Sequence, residues 1–389
     1  MNFLPLVLVT ALLHGYIAAR LLPGLAASAL GQWLLLGALA LSTLLIPLAL
    51  RGLRRDTTAR ARQLMHFLRW AGLLFLGLLS TLLVLTLARD GVLVLLWLVN
   101  FLMPGLLPLA QLSSWSAQAV PLLGLAVTLA GFLNARRTAV VRRVDVPIKG
   151  LPAAWHGFTV AQISDVHVGP TIGHGYLQRI VNKVNALQAD MVAITGDLVD
   201  GGVSELAAQV APLAELSSRH GTFFVTGNHE YYSGAHAWIV ELRRLGLTVL
   251  MNEHVVLTSP SVPGQVSAQL VLAGVTDYSA GHFDAAHRSN PAAALIGAPL
   301  DAVRLLLAHQ PRSALAAAQA GFDLQLSGHT HGGQFYPWNL LVRLQQPFTA
   351  GLHKLQDLWV YTSRGTGYWG PPKRFGAPSE ITLLRLVLV

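Results

Sequence analysis

Four apolar runs fill most of the first 133 residues, and they constrain the chain more than any other feature. Residues 3–19 end at Arg20, residues 30–50 end at Arg51 and residues 70–88 end at Arg89-Asp90; a last run, about 116–133, closes before Arg136-Arg137. A bilayer core takes about 20 apolar residues as a helix, because a helix satisfies its own backbone polar groups where no water is available. The runs read as four membrane spans in a transmembrane domain over residues 1–135. Val92–Leu112 also lacks a charge, but Asn100, Pro104 and Pro108 interrupt it. It reads as an interfacial or re-entrant segment rather than a fifth span.

Charge gives the sidedness. Arg51, Arg54, Arg55, Arg60, Arg62 and Arg69 crowd the 51–69 loop, and Arg136, Arg137, Arg142 and Arg143 follow the last run. Basic flanks are retained in the cytoplasm. Two spans between the clusters put both clusters there, with both termini inside; three spans would push one cluster across. No Lys or Arg precedes the first run, which argues against a signal peptide. Residues 1–150 hold 13 Lys+Arg against 3 Asp, whereas residues 151–389 hold 14 Lys+Arg against 15 acidic residues. The net +9 therefore belongs to loops flanking the spans and not to a polar face for nucleic acid, and no nucleic-acid partner is expected. Cysteine is absent, which excludes disulfides and thiolate metal sites.

Past a linker and first strand over residues 136–154, the pattern becomes α/β through residues 155–389. Short apolar runs read as strands: Phe158–Ser164, Met191–Thr195, Thr222–Thr226, Gln269–Val275, Val303–Ala308, Leu324–Ser327, Leu358–Thr362 and Ile381–Val389. Val140–Pro147 reads as a strand in the linker. Residues 175–187, 204–218, 235–246 and Ala314–Ala320 read as helices. His282–Leu300, rich in Ala, Asn and Pro, reads as an excursion over the site and a candidate lid.

Five strands end in polar residues: Asp165-Val166-His167, Gly196-Asp197-Leu198-Val199-Asp200, Gly227-Asn228-His229-Glu230, a single His309, and Gly328-His329-Thr330-His331. Each cluster alone is ordinary turn chemistry. Together, five successive strand ends deliver Asp, Asn or His, and strand ends are where open α/β sheets place their sites. Oxygen and nitrogen donors without Cys suit Mn²⁺, Fe or Zn²⁺. Two such ions about 3.5–4 Å apart can clamp the attacking and leaving oxygens at phosphorus.

Asp-x-His, Gly-Asp-x-x-Asp, Gly-Asn-His-Glu, the single His and Gly-His-x-His, in that order, resemble the calcineurin-like metallophosphoesterase superfamily over about residues 155–389. The resemblance implies a two-sheet sandwich flanked by helices and two divalent ions, Mn²⁺ first, with Zn²⁺ or Fe as alternatives. It implies Asp165, His167, Asp197 and His331 around one ion, and Asp197, Asn228, His309 and His329 around the other, with Asp197 bridging. His229 becomes the catalytic residue that steadies charge or protonates the leaving oxygen. Asp200 and Glu230 become residues that orient ligands. Ser363-Arg364-Gly365-Thr366-Gly367, the 371–374 segment Pro-Pro-Lys-Arg and Ser379-Glu380-Ile381 are similar to a bacterial branch of membrane-associated phosphodiesterases, some of which hydrolyse UDP-2,3-diacylglucosamine in lipid A synthesis.

That branch implies an enzyme in the bacterial inner membrane, its catalytic domain cytoplasmic, acting on a phosphodiester or pyrophosphate bond in a lipid-linked substrate. Its partners are then the bilayer and that substrate, with no obligate protein partner. Arg364, Lys373 and Arg374 are candidate phosphate contacts, and Tyr368 and Trp369 candidate stacking groups. The alternatives are a generic phosphodiesterase or phosphatase regulating a transport-type membrane domain, and a module whose metal site has lost activity.

Overall fold

The computed structural model describes residues 3–26, 28–50, 59–259 and 267–389. They form two compact units, Met1–Leu133 with Gly370–Lys373, and Asn134–Trp369 with Arg374–Val389.

The first unit is helical: α1 Phe3–Leu21, α2 Ala29–Ala49, α3 Ala59–Leu102 and α4 Leu109–Arg136. All four are long and apolar enough to cross a membrane. Their shared core includes Ile17, Leu21, Leu39, Ile46, Leu79, Leu82 and Ala117. Two expectations change here. The basic segment 51–69 is not a loop throughout: residues 51–58 lie outside the described ones, and α3 has already begun at Ala59, so Arg60, Arg62 and Arg69 are helical. Nor is Val92–Leu112 a separate segment, because α3 runs unbroken through Arg89-Asp90-Gly91 to Leu102, and α4 starts at Leu109. The charges at 89–90 find partners from within the helices. Asp90 accepts hydrogen bonds from Arg20 Nε and Tyr16 Oη, each at 2.7 Å. Arg89 donates to the Ser113 carbonyl at 3.0 Å and to Ser116 Oγ at 3.0 Å. Paired charges do not stop a helix; Pro104, which restricts the residue before it and lacks an N–H, lies just past its end.

The second unit is a two-sheet α/β sandwich. Its elements in chain order are β1 Val140–Ile148, β2 Thr159–Ile163, α5 His174–Asn185, β3 Met191–Ile194, α6 Val203–Val210, β4 Thr222–Phe224, α7 Asn228–Ser233, α8 Ala235–Arg244 and β5 Thr248–Val249, then β6 Glu253–Thr258, β7 Gln269–Gly274, β8 Val303–Leu307, α9 Ala314–Ala320, β9 Leu324–Ser327, α10 Trp338–Val342, β10 Gly351–Leu355, β11 Leu358–Thr362 and β12 Glu380–Leu388. One sheet has the order β1-β12-β2-β3-β4-β5, and the other β10-β11-β9-β8-β7-β6. Strands β2 to β5 are parallel, as are β7, β8, β9 and β11. Strands covered on both faces read as unbroken apolar runs, which is why Met191-Val-Ala-Ile and Leu305-Leu-Leu have no polar alternation.

Val160, Met191, Ala193, Phe223, Leu272, Leu305, Leu324 and Leu384 fill the layer between the sheets. On the outside of the first sheet, α5 buries Tyr176, Leu177, Ile180, Val181 and Val184, the one-sided spacing of a helix seated on a sheet. Helix α9 covers the second sheet through Ala314 and Ala317. Parallel strands in both sheets thus bring their carboxyl ends to the loops that carry the polar clusters.

Candidate active site

Seven side chains come together at these strand ends, arranged as overlapping donor groups. Asp165, His167 and His331 form one, Asp197, His309 and His329 a second, and His167, Asp197 and His229 a third, the donor atoms of each lying within 4.8 Å of one another. Asp197 is common to two of them. Its Oδ2 stands 3.1 Å from His309 Nε2, 3.9 Å from His167 Nε2 and 4.0 Å from His229 Nε2. His167 Nε2 faces His331 Nε2 at 3.0 Å, and His309 Nε2 faces His329 Nδ1 at 3.2 Å. Asn228 Oδ1 is buried with no hydrogen-bond partner. An orphaned buried carbonyl oxygen beside converging imidazoles and carboxylates is the arrangement a cation would satisfy, so the donor set fits two divalent ions.

The backbone is bent to aim these groups. Asp165, His167, Asp197, His329 and His331 all have left-handed φ, between 51° and 69°. That region costs a non-glycine residue about 1–3 kcal/mol and persists only where the surroundings enforce it. Part of the enforcement is close approach. A Cβ on Gly227 would come within 2.2 Å of Asp197 Oδ1, and one on Gly328 within 2.2 Å of Asp165 Oδ2.

A ring of hydrogen bonds sets each donor. The His309 Nδ1–H donates to the Thr195 carbonyl at 2.7 Å, turning Nε2 inward. Asp200 Oδ1 accepts from His167 Nδ1–H at 2.9 Å and from His229 Nδ1–H at 2.6 Å, so one carboxylate oxygen orients both rings. Glu230 touches none of the converging donor atoms. Its Oε2 accepts the N–H of Gly227 at 2.6 Å and of Asp197 at 3.0 Å, and its Oε1 accepts that of Leu198 at 2.7 Å, clamping one cluster to another. The His329 N–H donates to both Asp165 oxygens, at 2.9 and 3.0 Å.

The electrostatics follow from burial and from these partners. Burial works to lower His167, but the Asp200 carboxylate, with Asp197 and Asp165, pushes it up to about 9. Burial, then the His309 charge, pulls His329 down to about 3. Burial and the Arg374 guanidinium hold His331 well below the usual imidazole range. Burial works to raise Asp197, yet His309, His229 and His167 keep it well below the ordinary carboxylate value. Burial, with Asp197 nearby, pushes the Glu230 carboxyl up to about 7.

The basic candidates separate. Arg374 is fully buried and spent on the carbonyls of Gly367, His331 and Arg364, with Nη2 3.0 Å from His331 Nδ1. It lies behind a donor and is not a substrate contact. Lys373 belongs to the helical unit, where its ammonium donates to the Gly77 carbonyl at 3.2 Å and to Thr81 Oγ1. Arg364 stays half-buried, its Nη1 3.4 Å from Glu380 Oε2. Tyr368 is buried, its hydroxyl donating to the Thr171 carbonyl at 3.2 Å, whereas the neighbouring Trp369 is exposed and meets the His229 ring edge-on at 5.6 Å. Tyr232 meets His229 from another side at 5.2 Å and touches Phe283 at 5.6 Å. Tyr232 escapes a motif-based reading, although its position three residues after His229, on the same face of α7, carries the signal.

Residues 158–333 match the family described as calcineurin-like phosphoesterase. The chain is 41% identical over 266 residues to a transmembrane protein with metallophosphoesterase domain of Bos taurus, covering 67% of this chain and 60% of that protein. It is 36% identical to an uncharacterised metallophosphoesterase of Campylobacter jejuni, covering 65% of this chain and 64% of that one. It is 31% identical to an uncharacterised metallophosphoesterase of Aquifex aeolicus, covering 58% of this chain and 84% of that one. The chain spans about three fifths of the length of the bovine relative.

Proposed function

Because the chain belongs to the calcineurin-like metallophosphoesterase family, we propose that it is a membrane-anchored phosphoesterase with a two-ion centre, cleaving a phosphodiester or pyrophosphate bond in a lipid-like amphiphile. UDP-2,3-diacylglucosamine is one such amphiphile, and the bacterial inner membrane, with the catalytic unit on the cytoplasmic side, is the setting we propose. The observation that carries the reaction class is the overlap of three donor groups, two of which share Asp197, with the Asn228 oxygen left unpaired.

Asp165, His167, Asp197 and His331 would hold one ion, and Asp197, Asn228, His309 and His329 the other. Bound there, two divalent ions, Mn²⁺ first and Zn²⁺ or Fe as alternatives, supply Lewis acidity at phosphorus and make the attacking water acidic. The remaining work falls to the protein's own groups. Asp200 accepts the His229 Nδ1–H, which fixes the ring with Nε2 directed at the bridging carboxylate; when the ring is doubly protonated, its Nε2–H is placed to donate a proton to the leaving oxygen and return to the neutral imidazole. Glu230 keeps the Asp197 and Asn228 loops in register. Tyr232, Phe283 and Trp369 give the His229 side an exposed aromatic wall, which suits an apolar leaving portion. The four apolar helices supply a bilayer association that concentrates an amphiphile.

A second reading, a phosphoesterase regulating a transport-type membrane domain, is favoured by Asp90, a carboxylate inside an apolar helix and paired with Arg20 and Tyr16. The test is full-length protein in detergent with Mn²⁺, assayed first with bis-(p-nitrophenyl) phosphate, then for kcat/KM on a lipid substrate in mixed micelles and on its deacylated head group. Turnover with at least a tenfold preference for the lipid is expected. Absent turnover in metal-loaded protein would overturn the reaction class, and equal kcat/KM values would overturn the amphiphile.

A further inference from the structure

Away from the strand ends, His236, Asp284 and His287 bring three donor atoms within 4.8 Å of one another. His236 sits in the first turn of α8, its side chain 74% exposed. Asp284 caps and His287 ends a short 3₁₀ turn, Ala285–His287, in the excursion that follows β7. The two oxygens of Asp284 have different tasks. Oδ1 accepts the Ala286 N–H at 2.9 Å and caps the turn. Oδ2 is turned toward both imidazoles, 3.0 Å from His236 Nε2 and 4.0 Å from His287 Nε2.

An ordinary surface ion pair uses one imidazole, whereas here two converge on a single oxygen whose companion is already engaged. Zinc bonds to N and O of about 2.0–2.1 Å give a tetrahedral edge of about 3.3 Å, and the two observed separations bracket it. His287 Nδ1 lies 3.0 Å from the Tyr231 hydroxyl, so the far side of that ring is held by a partner, as in most metal-bound imidazoles. Two imidazole nitrogens and one carboxylate oxygen select a borderline transition ion over Mg²⁺ or Ca²⁺.

We propose that His236 Nε2, Asp284 Oδ2 and His287 Nε2 form a cation site for Zn²⁺ or a similar ion, distinct from the paired-ion centre, that ties the excursion to α8. The tie reaches the aromatic wall through packing: Phe283, next to Asp284, meets the Tyr231 ring at a tilt at 5.7 Å and the Tyr232 ring edge-on at 5.6 Å. Holding the turn in place therefore holds the rings beside His229.

The experiment uses the full chain in detergent, stripped with a chelator, reloaded with Zn²⁺, freed of excess ion and measured for zinc per chain. Wild type is compared with His236→Ala and Asp284→Asn, the second of which keeps an Oδ1 acceptor for the turn. Each variant should carry one equivalent less than wild type, and Zn²⁺ should slow proteolysis within residues 280–296 in wild type only. Because the readout is a difference, it stands whatever the paired centre holds. Equal zinc content in all three proteins overturns the proposal. A loss of more than one equivalent overturns the independence of the site.

Discussion

At the scale of single residues, the site trades backbone comfort for side-chain direction. Asp165, His167, Asp197, His329 and His331 hold left-handed φ values that Asn, Asp and His reach more readily than most residues and that β-branched residues scarcely reach. Their chemistry was legible in the sequence, since Asp-x-His and Gly-His-x-His announce it, but their backbone conformation was not, because it is imposed by distant groups such as the Glu230 carboxylate. Asp197 stands in both proposed ion sets and Asn228 in one, and that difference is measurable. Asp197→Ala removes the carboxylate common to two of the three donor groups and proposed to bridge the ions, and should abolish binding of both ions, with at least a thousandfold loss of phosphodiesterase activity. Asn228→Ala should cost one ion and leave the other. Elemental analysis after Mn²⁺ loading distinguishes these outcomes, and a single retained ion in Asp197→Ala would refute the bridging role.

At the scale of elements, the parallel strands were readable because both of their faces are covered. Ala314–Ala320 and Leu358–Thr362 occupy the residues their apolar pattern predicts. Strands β6 and β10 escaped for the opposite reason: they lie at the two opposite edges of their sheet, and His254, His353 and Lys354 break the apolar signal. Helix α7 hides inside a motif that reads as a turn, since Glu230 caps the Gly227 N–H from within the helix. The junction between β4 and α7 has no space to spare. Gly227→Ala should weaken ion binding by at least tenfold and destabilise the fold by about 1–3 kcal/mol through overpacking against Asp197, although residue 227 offers no donor atom. Thermal unfolding together with a Mn²⁺ titration checks both; a wild-type titration curve would show that the loop yields more easily than its contacts imply.

At the scale of the whole molecule, the helix count was readable and the helix lengths were not. A charged turn such as Arg89-Asp90 looks like an end until its partners, Arg20, Tyr16, Ser113 and Ser116, are in place. If each of the four candidate spans among the described residues crosses once, the segments before the first and after the last lie on the same side. A reporter fused after Val389 should therefore read as cytoplasmic, the side that the basic residues at 136–143 favour. A periplasmic signal would mean that an odd number of helices crosses.

Strand pairing adds a constraint in time. Strand β1 follows the last apolar helix, yet its partner is β12, 240 residues further along, paired in parallel. At about 5–20 residues per second, a nascent chain would carry β1 unpaired for roughly 10–50 s after that strand leaves the ribosome. The strand that closes the sheet also begins with Glu380, which accepts from the Tyr361 hydroxyl at 2.7 Å and from the Arg364 N–H at 3.1 Å, on the loop whose carbonyl holds Arg374 behind His331. A chain cut short before residue 380 would lack both the partner of β1 and the Glu380 contacts that brace the loop behind His331, and under the proposed function it is expected to lose hydrolysis.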